Sequence, residues 1–313
     1  MRIVSLLPSA TEIVCAIGLG EELVGVTHAC DWPPEVLGTP VMTSRVHDPS
    51  DGSAHGSSHG GHRSVAADVD GGSSGYHLDL AALTAAEPDL ILTRDLGRGD
   101  TGDYQQITDA ARAVGADIAV VALEPSSIEG ILNSITTVGA MTEAEDEAME
   151  LVASLRERLG AIEALVEARR DSGRRPIRVV GLEWLDPLFA VGRWVPEQIR
   201  RAGGWDLLGS DGERSRGTTW DAIAEVDPEM LILMPRGLHL PETVVEWTVA
   251  TRPSWYRELN AVRRGQIFAV DGSSYFSRPG PRVIDGIELL AEILDPDAFV
   301  DIAPLGSWTP ITA

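Results

Sequence analysis

Apolar and polar positions along this chain fall into short blocks with two different periods. Ile3 to Leu7 is an almost unbroken apolar run and predicts a buried strand. Thr11 to Ile17 has the spacing of a helix. Ser9 is expected as its N-cap and Glu12 as the acid of a capping box, while Gly18 and Gly20 provide the stop. Leu23 to Thr27 predicts the next strand, and strand–helix–strand with short connections is a parallel βαβ unit. A short strand at Val41–Thr43 follows. Beyond it come a helix at Leu80–Ala86, a strand at Leu90–Thr93, a helix at Tyr104–Val114 and a strand at Ile118–Leu123.

One block occurs twice. Glu87-Pro88-Asp89-Leu90-Ile91-Leu92 returns in the second half as Asp227-Pro228-Glu229-Met230-Leu231-Ile232-Leu233, each time after an amphipathic helix. Acid, proline, acid and an apolar run describe a helix stop followed by a buried strand. Between the copies, Met149, Val152, Leu155, Leu159, Ile162 and Val166 recur at steps of three and four. The spacing predicts one long helix over 142–170, roughly 40 Å at the α-helical rise. Further strands are expected at Ile177–Leu182, Met230–Met234 and Ile267–Val270, with helices opening at Trp194-Val195-Pro196-Glu197 and spanning Val283–Leu294.

These elements predict an α/β chain of two Rossmann-like lobes with central parallel sheets, joined by one long α-helix. The expected boundaries are 1–141 for the first lobe, 142–171 for the linker helix and 172–313 for the second lobe. Facing lobes of this kind hold a ligand in the cleft between them. Residues from about 47 to 76 lose all periodicity and read as an insertion rich in Gly, Ser and His.

Charge narrows the partners. The chain carries 25 arginines and no lysine against 48 acidic residues, a net charge of −23. Nucleic acid and anionic membranes need basic surface, so neither is expected as a partner. The same acidity suggests adaptation to high salt. No apolar run is long enough to span a membrane. The short N-terminal run, broken at Pro8, lacks the h-region of an export signal, so the expected location is the cytoplasm. Cys15 and Cys30 are the two cysteines and do not form a disulfide framework.

Three patterns invite chemistry. Gly97-Arg98-Gly99-Asp100-Thr101-Gly102 follows a strand, precedes a helix and has Glu124 downstream, as a dinucleotide fingerprint requires. It is not at the first strand of its lobe, however, and Asp95 and Asp100 would repel a pyrophosphate. His55, His59 and His62, with His47 and His77 near the ends of the insertion, could gather a metal; a polar loop without one is the expectation. Cys30, in His28-Ala29-Cys30-Asp31, is read as a buried thiol packed by Trp32. No hydrolase elbow, zincin or phosphate-loop motif occurs, and no catalytic residue or cofactor is expected.

Aromatics suggest a binding surface instead. Trp32, Trp184, Trp194 and Tyr275-Phe276 all fall where predicted strands end, positions that suit flat or bulky apolar ligands. Several segments also resemble a known family. They are Arg2 to Ile13, Val24-Gly25-Val26-Thr27, Asp31-Trp32-Pro33, Glu87 to Leu92, Pro187-Leu188-Phe189 with Ala202-Gly203-Gly204, and Tyr275-Phe276-Ser277-Arg278 leading to Pro281-Arg282. In that order they are similar to the class III periplasmic substrate-binding proteins, above all the cobalamin-binding members that serve a vitamin importer.

The resemblance implies two lobes bridged by a long helix and non-enzymatic binding of a cobalamin-like corrinoid for uptake, salvage or storage. It implies Trp32, Tyr275, Phe276 and Arg278 as ligand contacts, with Trp184 and Trp194 in the first loop of the second lobe. An ABC permease is the implied protein partner. The alternatives are a ferric siderophore or haem on the same scaffold, with Arg94, Arg98, Arg236 and Arg278 as candidate arginines for an anionic siderophore. A nucleotide-dependent oxidoreductase using the Gly97–Gly102 loop is the rival from the enzyme class.

Overall fold

The computed structural model describes residues 1–45, 76–94, 102–115 and 117–312. Most of the 47–76 insertion and of the Gly97–Gly102 loop lies outside them, so the readings attached to those segments do too. The chain divides into two compact units, Met1–Glu124 with Ser134–Ala148 and Pro125–Asn133 with Met149–Ala313.

The first unit runs β1 (Ile3–Ser5), α1 (Pro8–Ala16), β2 (Leu23–Val26), β3 (Thr43–Arg45), β4 (Tyr76–Leu78), α2 (Leu80–Ala86), β5 (Leu90–Thr93), α3 (Gly102–Val114) and β6 (Ala119–Ala122). Helix α4 (Ile128–Met141) follows, and α5 (Glu145–Asp171) begins in this unit and continues in the second. Its main sheet has the order β2-β1-β5-β6 with every pair parallel. Each residue of β1 and β5 is buried, which is why they read as apolar runs without alternation.

The second unit continues with β7 (Ile177–Leu185), β8 (Leu188–Ala190), α6 (Val195–Arg201), β9 (Gly204–Asp206), β10 (Arg216–Gly217), α7 (Trp220–Val226) and β11 (Met230–Leu233). Then come α8 (Leu240–Val249), α9 (Asn260–Arg263), β12 (Ile267–Val270), α10 (Gly272–Tyr275), α11 (Val283–Leu294) and β13 (Trp308–Pro310). Its parallel core is β9-β7-β11-β12, the same order as in the first unit. Antiparallel β8, β10 and β13 extend it.

The repeated motif acts identically in both units. Glu87 and Asp227 end α2 and α7 in the left-handed region, at φ 42° and 41°. Two residues on, Asp89 accepts from the Arg2 amide at 2.7 Å, and Glu229 accepts from the Arg178 amide at 3.1 Å. Arg2 Nε donates to the Ala86 carbonyl at 2.8 Å, and the Arg178 guanidinium donates to the Val226 carbonyl. An arginine thus caps the end of one helix while its backbone is held by the acid opening the next strand. Arg175 adds two bonds to Glu229, at 2.6 and 2.7 Å, and holds that carboxyl below the usual carboxylate range.

Two helical details differ from the sequence reading. Helix α1 starts at Pro8 with Leu7 as its N-cap and no side-chain cap. Ser9 and Glu12, expected as a capping box, are both 4% exposed and sit inside the helix. Proline's fixed φ suits the first helical position, so the helix begins before the serine. Helix α4 is absent from the sequence reading because its Ile, Thr and Val content and its two glycines mimic a strand and turns. Gly139 is there for close approach: a Cβ would lie 2.5 Å from the Ala148 Cβ and 2.9 Å from the Ala144 carbonyl oxygen.

Helix α5 is uninterrupted over its 27 residues and is tied to the second unit by arginines. Arg158 meets Asp285 at 2.5 Å and Glu288 at 2.6 Å. Arg169 and Arg174 both reach Asp295, at 2.8 and 3.1 Å. Glu163 pairs with Arg201, which also holds Glu197 at 2.8 Å.

A buried acid braces β9 against β7. Asp206 accepts from the Gly181 amide at 2.8 Å, from the Leu208 amide at 3.1 Å and from the Gly209 amide. Burial nevertheless pushes its carboxyl up to about 6, against the pull of those donors and with a small upward push from Asp211. The folded state therefore holds this proton more tightly than the unfolded chain does. That contribution is complete below about pH 4 and is lost as pH rises through about 6, a change of roughly 3 kcal/mol. Urea unfolding at pH 4.5 and 7 should show a steeper fall in stability for wild type than for Asp206→Asn. General acidity acts on both proteins alike, so equal slopes would refute the assignment.

Candidate functional site

Open parallel sheets bind ligands outside the carboxyl ends of their strands, where the strand order reverses. The shared order places that point between β1 and β5 in the first unit and between β7 and β11 in the second.

In the first unit the segment after β2 lies at the same carboxyl edge of the sheet. His28 Nδ1 lies 2.8 Å from Thr43 Oγ1, and Thr27 Oγ1 is equally close to the same hydroxyl, pinning the strand end. Cys30 is buried, its Sγ 3.0 Å from Thr11 Oγ1 on α1. Burial, with the Glu35 carboxylate as a smaller cause, pushes the nearby Cys15 thiol up to about 11. The Cys15 thiol is therefore protonated and poorly nucleophilic at neutral pH. Trp32 follows and is 46% exposed, an uncommon state for so large a ring.

In the second unit the sequence-predicted residues lie at different depths. Trp184 is inside β7 instead of after it and is 2% exposed, with Nε1 donating to the Asp186 carbonyl at 3.1 Å. Trp194 is the N-cap residue of α6 and is also buried; its Nε1 has no partner among the described residues. Phe276 is buried, whereas Tyr275, the last residue of α10, is half-buried and lies 5.8 Å from the Arg282 guanidinium. Arg278 is 8% exposed and donates to Ser273 Oγ at 3.3 Å. Gln198 on α6 donates to the Tyr275 and Val283 carbonyls at 3.1 and 2.9 Å, which fixes α10 and α11 against α6. Trp32 belongs to one unit and the other five candidates to the other.

Sequence reasoning named Arg236 as a candidate arginine but missed the acid that holds it. Glu183, the acid in the apolar strand IRVVGLEWL, is 7% exposed. One of its oxygens accepts from Arg236 at both Nε (2.8 Å) and Nη2, and the other accepts from the Ser215 hydroxyl. The Arg236 amide also donates to the Glu183 carbonyl at 3.0 Å. Nearby, His239 Nδ1 lies 3.0 Å from Asp271, which caps α10. Loop 236–239 is stitched to α10 through Ser273 N to Leu238 O, 2.9 Å, and Gly237 N to Ser277 Oγ, 3.2 Å. Among the described residues no three His, Cys, Asp or Glu side chains gather as a metal site. Nor is any described helix long and apolar enough to cross a membrane.

The two units thus repeat one parallel α/β core, with Trp32 exposed after β2 in the first. Residues 3–273 match the family described as "Periplasmic binding protein", and the chain belongs to it. It is 26% identical over 303 residues to the uncharacterized ABC transporter substrate-binding lipoprotein YvrC of Bacillus subtilis, covering 95% of this chain and 81% of that one. It is 22% identical to the vitamin B12-binding protein of Vibrio cholerae, covering 94% and 88%. Among solved structures, a periplasmic heme binding protein from Pseudomonas aeruginosa shares the fold with a TM-score of 0.70 at 19% identity, covering 100% and 95%.

These relatives correct the expected cytoplasmic location, for the family is one of periplasmic and lipoprotein binding components. The physical reason is that Ile3–Ser5 is a buried central strand. Its short apolar run reports on the core and carries no information about targeting.

Proposed function

We propose that this protein binds a cobalamin-like corrinoid without chemical turnover and delivers it to an ABC permease. The observation that carries the reading is Trp32, a large aromatic left 46% exposed at the carboxyl end of β2. Apolar surface of that size at a strand edge suits the broad face of a macrocycle. The proposed contacts are Trp32, Tyr275, Phe276 and Arg278, supported by Trp184 and Trp194 inside the second unit. Likeness over nearly the whole chain to a vitamin B12-binding protein supports the ligand class, and family membership favours binding over nucleotide-dependent oxidoreduction.

Haem is the second reading, favoured by the fold shared with the Pseudomonas protein. Absorbance and fluorescence titrations with cyanocobalamin, haemin and a ferric siderophore decide between them. Saturable quenching of tryptophan fluorescence by cyanocobalamin, at lower concentration than by the other two, is the expected result. A Soret shift with haemin and no response to the corrinoid would replace the reading by the haem one.

A further inference from the structure

We infer that Glu183 and Arg236 form a pre-oriented hydrogen-bond donor that selects uncharged acceptors, such as the carboxamides on a macrocycle rim, over carboxylates. The inference rests on the reading of the carboxyl edge as the ligand site and deepens it to the chemistry of the ligand's periphery.

The pair sits where the second unit's strand order reverses. Met234 N donates to Leu182 O at 3.0 Å as the β7–β11 pairing ends, and the Arg236 amide bonds the Glu183 carbonyl two residues on. Glu183 is held from two sides. Its Oε1 takes Arg236 Nε and Nη2, and its Oε2 takes the Ser215 hydroxyl arriving just before β10. The Glu183 side chain is 9% exposed and that of Arg236 30%, so the carboxylate lies beneath and the guanidinium faces outward. Among the described residues Nη1 meets no hydrogen-bond partner, and Glu183 fixes the plane in which it points.

Charge decides what such a group prefers. A guanidinium alone at this edge would favour carboxylates, because charge-assisted bonds are about twice as strong as neutral ones. Here the balancing carboxylate is built in and buried, so the pair is neutral as a whole while its N–H groups stay directed. An incoming carboxylate would gain one attraction from Arg236 and meet repulsion from Glu183 beneath it. A carbonyl oxygen of an amide gains the hydrogen bond without that repulsion. Glu183 is thus a positioning and specificity-determining residue that acts through Arg236.

The test uses two pairs of probes that differ in rim charge: cobinamide against cobyrinic acid, and haemin dimethyl ester against haemin. Wild type should prefer the uncharged member of whichever pair binds. Glu183→Gln keeps the shape and an acceptor for the guanidinium but removes the negative charge. It should move the affinity ratio toward the carboxylate member by about tenfold. Arg236→Gln, which removes the positive charge that balances the Glu183 carboxylate, should move the ratio the other way, further toward the uncharged member. A merely structural ion pair would lower both affinities together and leave the ratio alone, which overturns the inference. Binding of the haemin pair without the corrinoid pair overturns the corrinoid reading while the ratio still tests Glu183. Absence of binding by all four probes overturns both.

Discussion

Gly272→Ala is expected to destabilise the second unit by at least about 2 kcal/mol, in the upper part of the range for overpacking a close contact. Gly272 opens α10, where the chain turns back across the end of β11. A Cβ there would lie 2.3 Å from the Pro235 carbonyl oxygen and 2.8 Å from the Met234 carbonyl carbon. Both are backbone atoms, so no side chain can rotate away and either α10 or the 234–236 loop must shift. The measurement is thermal or urea unfolding, with a fall in Tm of roughly 4–8 °C for a unit of this size. Gly160→Ala is the control. It lies inside α5 with nothing within 4 Å of the new methyl and should stabilise by roughly 0.5–1 kcal/mol. If Gly272→Ala melts with wild type, the close packing of α10 on β11 is wrong.

Trp32→Ala is expected to weaken corrinoid binding by at least about 2 kcal/mol, roughly thirtyfold, because a buried aromatic anchor is lost from the interface with the ligand. Stability should change less than affinity, since Trp32 is 46% exposed in the free protein. Tyr275→Ala should behave alike for binding. Arg278→Ala differs: it empties a site only 8% exposed and strands Ser273 Oγ, so its melting temperature should drop as well. Titration of each variant with cyanocobalamin, beside its melting curve, separates ligand contact from support. Unchanged affinity in Trp32→Ala and Tyr275→Ala together would place the ligand elsewhere.

Much of the fold was legible because its signals are local. The acid–proline–acid block fixes a helix end and a strand start within seven residues, and the same geometry appears at Glu87 and Asp227. What escaped depends on contacts that sequence spacing does not encode. Helix α8 is absent from the sequence reading, because its buried face of Thr243, Glu246 and Trp247 mixes polar with apolar residues. The Glu183–Arg236 pair spans 53 positions, so Arg236 could be named as a candidate arginine without its partner. Glu183 did leave a trace as the acid in the β7 interior, but nothing in the sequence names its partner. For the aromatics, the sequence places them at strand ends but does not say which rings turn inward. Trp184 and Trp32 look alike on paper and differ from 2% to 46% exposure.

The bond between Asp89 and the Arg2 amide has a consequence for tethering. It fixes the chain's second residue at the amino end of the first unit's sheet, while Trp32 follows the carboxyl end of β2 in the same sheet. Any leash joined ahead of Met1, whether a lipid-bearing segment or a laboratory fusion, departs from the end of the strands remote from that tryptophan. Such an attachment can anchor the first unit to a surface while its tryptophan edge stays clear of the anchor.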